Sequence, residues 1–255
     1  GTLRLEHIVA FQIFLWRSAQ PRTLIVDNIH LIEGDESLVG IVDEFGQYAH
    51  ADWQGKIRSI SHLRRTAMLE ARSLERTPAP EDFDEYGAWR TGPQRRATGF
   101  FRTEKVGDRW WLIAPNGRLF FSTGMDCVHY GDATFITGRE SMFRWLPREG
   151  EPLATHYGRG TALMGPIKEG KTYNFYAANL ERKYGADYPA RWREQTLRRL
   201  RAWGFNTIGN WSLWDWHRNG RIPYVATAGV WGEHKRVPSG SDYWGKMHDP
   251  FDPQF

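Results

Sequence analysis

WGFNTIGNWSLWD, residues 203–215, is the stretch from which the fold is read. Gly204 stands where a helix needs a left-handed residue to stop, Phe205 to Ile208 make a short apolar strand, and Asn210, Trp211, Trp214 and Asp215 follow at its carboxyl end. In a (β/α) barrel that end is where ligands bind. An amide both donates to and accepts from hydroxyls, and an adjacent indole offers a flat apolar face, so Asn210 with Trp211 suits a sugar ring. Trp211 as a plug in the top of a barrel is the competing structural reading.

Upstream, Asp187 opens a helix with Trp192, Thr196, Leu200 and Trp203 as its inner stripe and Glu194 with Arg198 as an i, i+4 pair outside. Tyr173 to Tyr184 reads as another helix, ended by Gly185. Residues 130–172 are glycine-rich without periodicity, which predicts a long loop serving as a wall or lid over a site. Trp110 to Ala114 and Arg118 to Ser122 flank Pro115-Asn116-Gly117 and form a hairpin, whose second strand leads through LFFSTG to Asp126 and His129. Strand, excursion with helices, strand is a βα unit, and Ile222 to Ala228 is the next parallel strand after a helix-poor interval, 211–221.

Further towards the amino end, Ile60 to Leu74 is a helix with Leu63, Ala67 and Leu74 on one side, and residues 77–96 are irregular chain punctuated by proline. Residues 33–58 suit a connection over a neighbouring domain. His7 to Trp16 and Thr23 to Ile32, separated by Ser18-Ala19-Gln20-Pro21, resemble the last hairpin of a β-sandwich. The opening strand has apolar residues on both faces, so the chain is expected to begin in mid-domain.

The 255 residues, 40% hydrophobic and 25% charged, describe an ordinary globular protein rather than a disordered one. Thirteen Trp, ten Tyr and fourteen Phe are a high aromatic share; core filling accounts for most of them, and the excess of Trp suits a ligand with flat, weakly apolar faces. The net charge of +4 comes largely from scattered Arg, with Arg191, Arg193, Arg198, Arg199 and Arg201 on a solvated helix face. No zinc-ligand set, RNP-like motif or glycine-lysine phosphate loop accompanies them, so no nucleic-acid partner is expected. Cys127 is the sole cysteine, which removes intrachain disulfides and multi-cysteine metal sites. No apolar run approaches the ~20 residues that cross a bilayer, and the amino end lacks the form of a signal peptide. Neither a cofactor nor a metal is expected.

Glycoside hydrolysis generally needs two carboxyl groups, held roughly 5 to 5.5 Å apart in retaining enzymes. The carboxylates after predicted strands are Asp126, Asp215, Glu233 and Asp249, and none sits in an Asn-Glu pair at a strand end. Substrate binding or structural hydrogen bonding is therefore their expected role. Glu233-His234 follows the third strand and faces the same task, with no second His at ligand spacing. His248-Asp249-Pro250-Phe251-Asp252-Pro253 is a rigid turn carrying two carboxylates.

Five segments, GRLFFSTGMD (117–126), ESMFRWLP (140–147), NFYAANLERKYG (174–185), WGFNTIGNWS (203–212) and HDPFDPQF (248–255), together resemble glycoside hydrolase family 50, the β-agarases. TLIVDNIHLIEG (23–34) and VDEFGQYAHADWQGK (42–56) resemble that family's junction between a carbohydrate-binding-like β-sandwich and the catalytic barrel. The resemblance implies an α/β fold, a partial (β/α)8 TIM barrel of about three βα units preceded by the last strands of a jelly-roll β-sandwich. Its domains are 1–36, the end of the sandwich; 37–98, a linker and helical connection; and 99–255, the amino-terminal part of the barrel. Strands one to three map to 119–124, 205–210 and 222–228. The implied activity is a retaining hydrolase that cuts β-1,4 links of agarose, at the bacterial cell surface, in the periplasm or outside the cell. Its acid/base and nucleophile Glu residues belong at the ends of strands four and seven, expected beyond Phe255, so no catalytic residue is named. A barrel of this type takes about 250 residues, more than lie between 119 and 255, so the rest is expected either on a second polypeptide, as a partner, or in sequence lost from this chain. A non-catalytic galactan-binding remnant and a β-galactosidase-type enzyme are the alternatives. Asp126, Asn210, Trp211, Asp215, Glu233, His234 and Asp249 are the expected substrate-binding residues.

Overall fold

The computed structural model describes residues 38–161, 167–218, 220–227, 229–238 and 246–255. The two strands read at 7–16 and 23–32, and with them the 1–36 sandwich, lie outside the described residues. The rest mixes helices and strands in two compact units. One joins residues 38–77 to 130–198; the other joins 78–129 to 199–255.

In the first unit, α1 (Ile60–Glu75) starts at Ser59, whose Oγ accepts from the His62 amide, and buries Leu63. Arg64 Nε donates to the Arg182 carbonyl at 3.0 Å, which ties α1 to α2 (Phe175–Tyr184). Asn174 caps α2 by accepting from the Ala177 amide, and Gly185 ends it. Arg182 is buried on α2 between the rings of Phe45 (5.1 Å) and Trp145 (4.7 Å), and donates to the Glu44 carbonyl and to Asn179 Oδ1. A guanidinium can satisfy its donors in such a slot while its flat faces stack. The 38–58 segment carries its own knot: buried Asp43 accepts from the Phe45 and Gln47 amides, and Gln47 pairs with both backbone groups of Ile57.

The described residues of 130–172 include three strands, so the segment is not a loop throughout. Three strands, β5 (Thr134–Phe135), β6 (Tyr157–Thr161) and β7 (Glu169–Tyr173), make an antiparallel sheet in the order β5-β7-β6. Gly158, Gly160 and Gly170 lie inside these strands: a Cβ on Gly170 would stand 2.9 Å from Thr137, and one on Gly160 3.1 Å from Thr172. Glycine in a strand marks close approach as often as a turn. Tyr173, read as the start of a helix, is instead the last residue of β7 and is fully buried with Phe175, Ile136 and Ala178. Burial pushes its phenol up to about 12.

Helix α3 (Tyr188–Ala202) buries Trp192, Thr196, Leu197 and Leu200, and carries the Glu194–Arg198 pair at 3.1 Å. Trp203, placed by its spacing on the inner stripe, is 58% exposed because it falls just past the helix end. Gly204 there has φ +78°.

In the second unit, β1 (Arg102–Val106), β2 (Arg109–Ile113) and β3 (Leu119–Phe120) form an antiparallel meander, so the expected hairpin has a further strand before it. The run 119–124, read as a single strand, divides: Leu119–Phe120 pairs with β2, whereas β4 (Gly124–Met125) pairs in parallel with β8 (Thr207–Ile208). A parallel bridge joins Ile208 to Tyr224, so the third apolar run does lie beside β8. The 211–221 interval contains a 3-10 helix, Trp214–Arg218. No closed barrel is present among the described residues, and none of their helices is long and apolar enough to cross a membrane.

Candidate functional site

Asn206 organises the ground beneath the site. Its Nδ2 donates to the Gly87 and Phe121 carbonyls, at 2.8 and 2.9 Å. Its Oδ1 accepts from the Thr123 amide at 2.8 Å and the Thr207 hydroxyl at 3.1 Å. All four hydrogen-bonding positions of the amide are used, in a residue 4% exposed. Nothing in the sequence distinguished Asn206, since an Asn inside an apolar strand has no pattern of its own.

At the carboxyl ends of β4 and β8 the two chain segments are laced together. Asp126 Oδ1 accepts from the Asn210 amide at 2.8 Å, and the Cys127 amide donates back to the Asn210 carbonyl. Ser212 Oγ donates to the Gly209 carbonyl and accepts from the Val128 amide, and the buried Trp216 indole donates to the Val128 carbonyl. Gly209 has no room for a side chain, because a Cβ there would lie 1.9 Å from Asp126 Oδ1. Cys127 and Trp211 both adopt positive φ, +56° and +55°. Left-handed non-glycine residues are uncommon and cluster where a surrounding structure enforces a functional shape.

The end of β8, the 3-10 helix after it and the third parallel run line a cleft of about 220 Å³. Trp211 and Trp214 line it and are 69% and 71% exposed. The His217 ring stands between Trp214 (5.4 Å) and Tyr224 (6.4 Å), its Nδ1 against the Trp214 carbonyl and its Nε2 accepting from Arg218 Nε. Thr227 donates to Asn210 Oδ1 at 2.6 Å and so orients the amide at the cleft rim. A larger recess of about 710 Å³ shares His217, Tyr224 and Ala226 and adds Tyr86, Phe101 and Arg201. The smaller cleft is the better candidate, because the carboxyl ends of β8 and the third parallel run, the left-handed Trp211 and the exposed indoles converge on it.

Of the expected binding residues, the structure brings together Asp126, Asn210 and Trp211, with Asp215 half-buried in the following 3-10 helix. Glu233 is exposed on a separate loop. His234 is 5% exposed, hydrogen-bonded through Nε2 to His248 Nδ1 and set edge-on to Phe255. His248 in turn contacts Arg236 and is held below the usual imidazole value by burial first, then by Arg236 and His234. Asp249 Oδ1 accepts from the Phe251 amide, a turn-forming bond. Asp252 accepts from the Gln254 and Lys235 amides, and those bonds hold its carboxyl below the usual range. Sequence reasoning missed His217 and Tyr224, which share no local motif, and the pairing of His234 with His248. Among the described residues no group of three or more His, Cys, Asp or Glu could hold a metal.

A strand-ended cleft with exposed indoles and an oriented amide, on an α/β frame, has the form of a site in a carbohydrate-active protein. The chain belongs to the β-agarases of glycoside hydrolase family 50. It is similar to β-agarase B of Vibrio sp. (strain JT0107), 35% identical over 100% of this chain and 29% of that protein. β-Agarase A of the same strain is 30% identical over 98% of this chain and 27% of its own length. The chain thus spans under a third of these curated relatives. A solved exo-β-agarase matches with a TM-score of 0.78 at 37% identity, over 88% of this chain and 36% of that one. The agarase AgWH50C matches with a TM-score of 0.72 at 38% identity, over 85% of this chain and 34% of that one. No protein-family model matches.

Proposed function

We propose that this chain supplies part of the substrate cleft of an agarose-degrading glycoside hydrolase. The observation that carries the reading is the match to β-agarase B along 100% of the chain. Residues 99–255 are then the first βα units of a (β/α)8 barrel, 37–98 the linker, and 1–36 the end of a carbohydrate-binding-like β-sandwich. The parallel pairing of β4, β8 and Tyr224 supports the barrel assignment. Cleavage is retaining and acts on β-1,4 links, at the cell surface, in the periplasm or outside the cell.

In this reading Trp211 and Trp214 stack on pyranose faces, Asn210 hydrogen-bonds ring hydroxyls, and Asp126 acts by fixing the Asn210 backbone. Asp215 lies close behind them. Glu233, His234 and Asp249 complete the proposed binding set from the loops after the third strand, His234 by supporting its neighbours from a buried position. The acid/base and nucleophile Glu residues are not among these binding residues. Asp126 and Asp249 each accept a hydrogen bond from a backbone amide, which suits them to hold the binding loops in shape.

The test is to incubate the 255-residue chain with agarose and measure both retention on the polymer and release of reducing ends. Retention without release is the expected result. Release by this chain alone would place the catalytic pair within it, and absence of retention would remove the carbohydrate reading. Hydrolysis of a small aryl galactoside with no action on the polymer would favour a β-galactosidase-type enzyme.

A further inference from the structure

Outside the cleft, Trp231 is 90% exposed, the most open of the tryptophans among the described residues. A large apolar ring left in water needs either a partner or a structural reason. The indole is held in place nonetheless. It lies against the backbone of Gly229, where an added Cβ would stand 2.8 to 2.9 Å from Nε1, Cε2 and Cζ2. Beyond it, Gly232 takes φ +147°, and a Cβ there would meet the His234 ring at 3.2 Å. His234 is buried and tied to His248, and the Lys235 amide donates to Asp252. The loop that carries Trp231 is therefore anchored just after it, while one edge of the indole rests on a glycine chosen for its lack of a side chain.

We propose that Trp231 is a second sugar-stacking platform, separate from the Trp211–Trp214 cleft, and that Gly229 positions its ring. The ligand class is a neutral galactan chain. A pyranose presents C–H groups on one face and suits an open indole, with no charge required of either partner. This inference rests on the carbohydrate reading above and extends it to a site the cleft does not include. A platform outside the cleft acts on polymer that has already engaged the cleft, so its contribution grows with ligand length.

The experiment is affinity electrophoresis of the 255-residue chain through gels with and without agarose, on wild type, Trp231→Ala, Trp231→Phe, Gly229→Ala and the Trp231→Ala/Gly229→Ala double variant, with near-ultraviolet circular dichroism as the folding control. Trp231→Ala should weaken retention about tenfold, the change that loss of one good stacking contact brings. Trp231→Phe, which keeps a flat ring, should recover most of it. Gly229→Ala should weaken retention although Trp231 remains, and the double variant should be no worse than Trp231→Ala, because both changes remove one contact. Wild-type retention with Trp231→Ala unchanged overturns the platform alone. Additive losses in the double variant overturn the positioning role of Gly229. If wild type itself is not retained, the carbohydrate reading fails and the platform with it.

Discussion

Replacing Asn206 by Asp changes almost no atoms in size and reverses half of the residue's hydrogen bonding. In the native chain Nδ2 donates to the carbonyls of Gly87 and Phe121, at 2.8 and 2.9 Å. Asn206→Asp turns that group into an acceptor facing two acceptors, in a position 4% exposed. Two buried carbonyls lose their donor and a buried charge is left without a counter-ion, held only by the Thr123 amide and the Thr207 hydroxyl, which costs about 3–5 kcal/mol at neutral pH. For a chain of this size that lowers the midpoint of thermal unfolding by roughly 6–20 °C. The pH dependence has a definite sign. Burial and the two carbonyls raise the new carboxyl's folded pKa above its unfolded value of about 3.9, so the folded state binds more protons and the deficit shrinks as pH falls. Asn206→Ala is the comparison: it also destabilises, but its deficit does not change with pH. Thermal melts of the three proteins at pH 7.5 and pH 5 make the test. A variant within about 0.5 kcal/mol of wild type, or a deficit that stays constant on acidification, would refute the account of Asn206 as the knot under the site.

Three further outcomes follow from other contacts. Gly209→Ala drives a Cβ into Asp126 Oδ1 and to 3.0 Å from the Met125 carbonyl, so it should cost about 2–4 kcal/mol; Gly209→Ala combined with Asp126→Ala should cost less than the two single losses added, as denaturant melts would show. Arg182→Ala removes two hydrogen bonds and the slab between Phe45 and Trp145, an expected loss of about 2–4 kcal/mol by urea titration, and Arg182→Lys should recover only part because an ammonium cannot stack. His248 is held below 6.5 in the folded chain. The unfolded chain then takes up the proton first, so stability falls as pH drops through 6.5 towards the folded value; His248→Gln should flatten that slope between pH 7 and pH 5, and an unchanged slope would assign it to other groups.

Much of the frame was readable from local chemistry. The helix over 60–74, the stop at Gly204, the Pro115-Asn116-Gly117 turn and the parallel relation of 205–208 to 222–228 each rest on a few adjacent residues, and each is present. Failures came where long-range pairing reinterprets a local signal. Gly158, Gly160 and Gly170 read as loop because their lack of side chains looked like freedom, whereas it makes room for Thr137, Thr172 and Phe135. The strand RTEKV (102–106) escaped notice because half of it faces solvent and carries charge. In the site, Asn210 and Trp211 were legible as a neighbouring amide and indole. His217 and Tyr224 join them only through the 3-10 helix and the bridge to Ile208, and Asp126 reaches Asn210 across 84 residues.

The central claim is that the carboxyl ends of β8 and the Tyr224 run, braced from the end of β4, form the sugar-binding cleft. Titrating the ¹⁵N-labelled chain with a neoagaro-oligosaccharide, and following the indole N–H signals, tests it most directly. The signals of Trp211 and Trp214 should shift in proportion to occupancy while that of Trp145 stays fixed, and Trp211→Ala should weaken binding by about 1–3 kcal/mol. Saturable binding with Trp211 and Trp214 unmoved, or unchanged affinity in Trp211→Ala, would contradict the account.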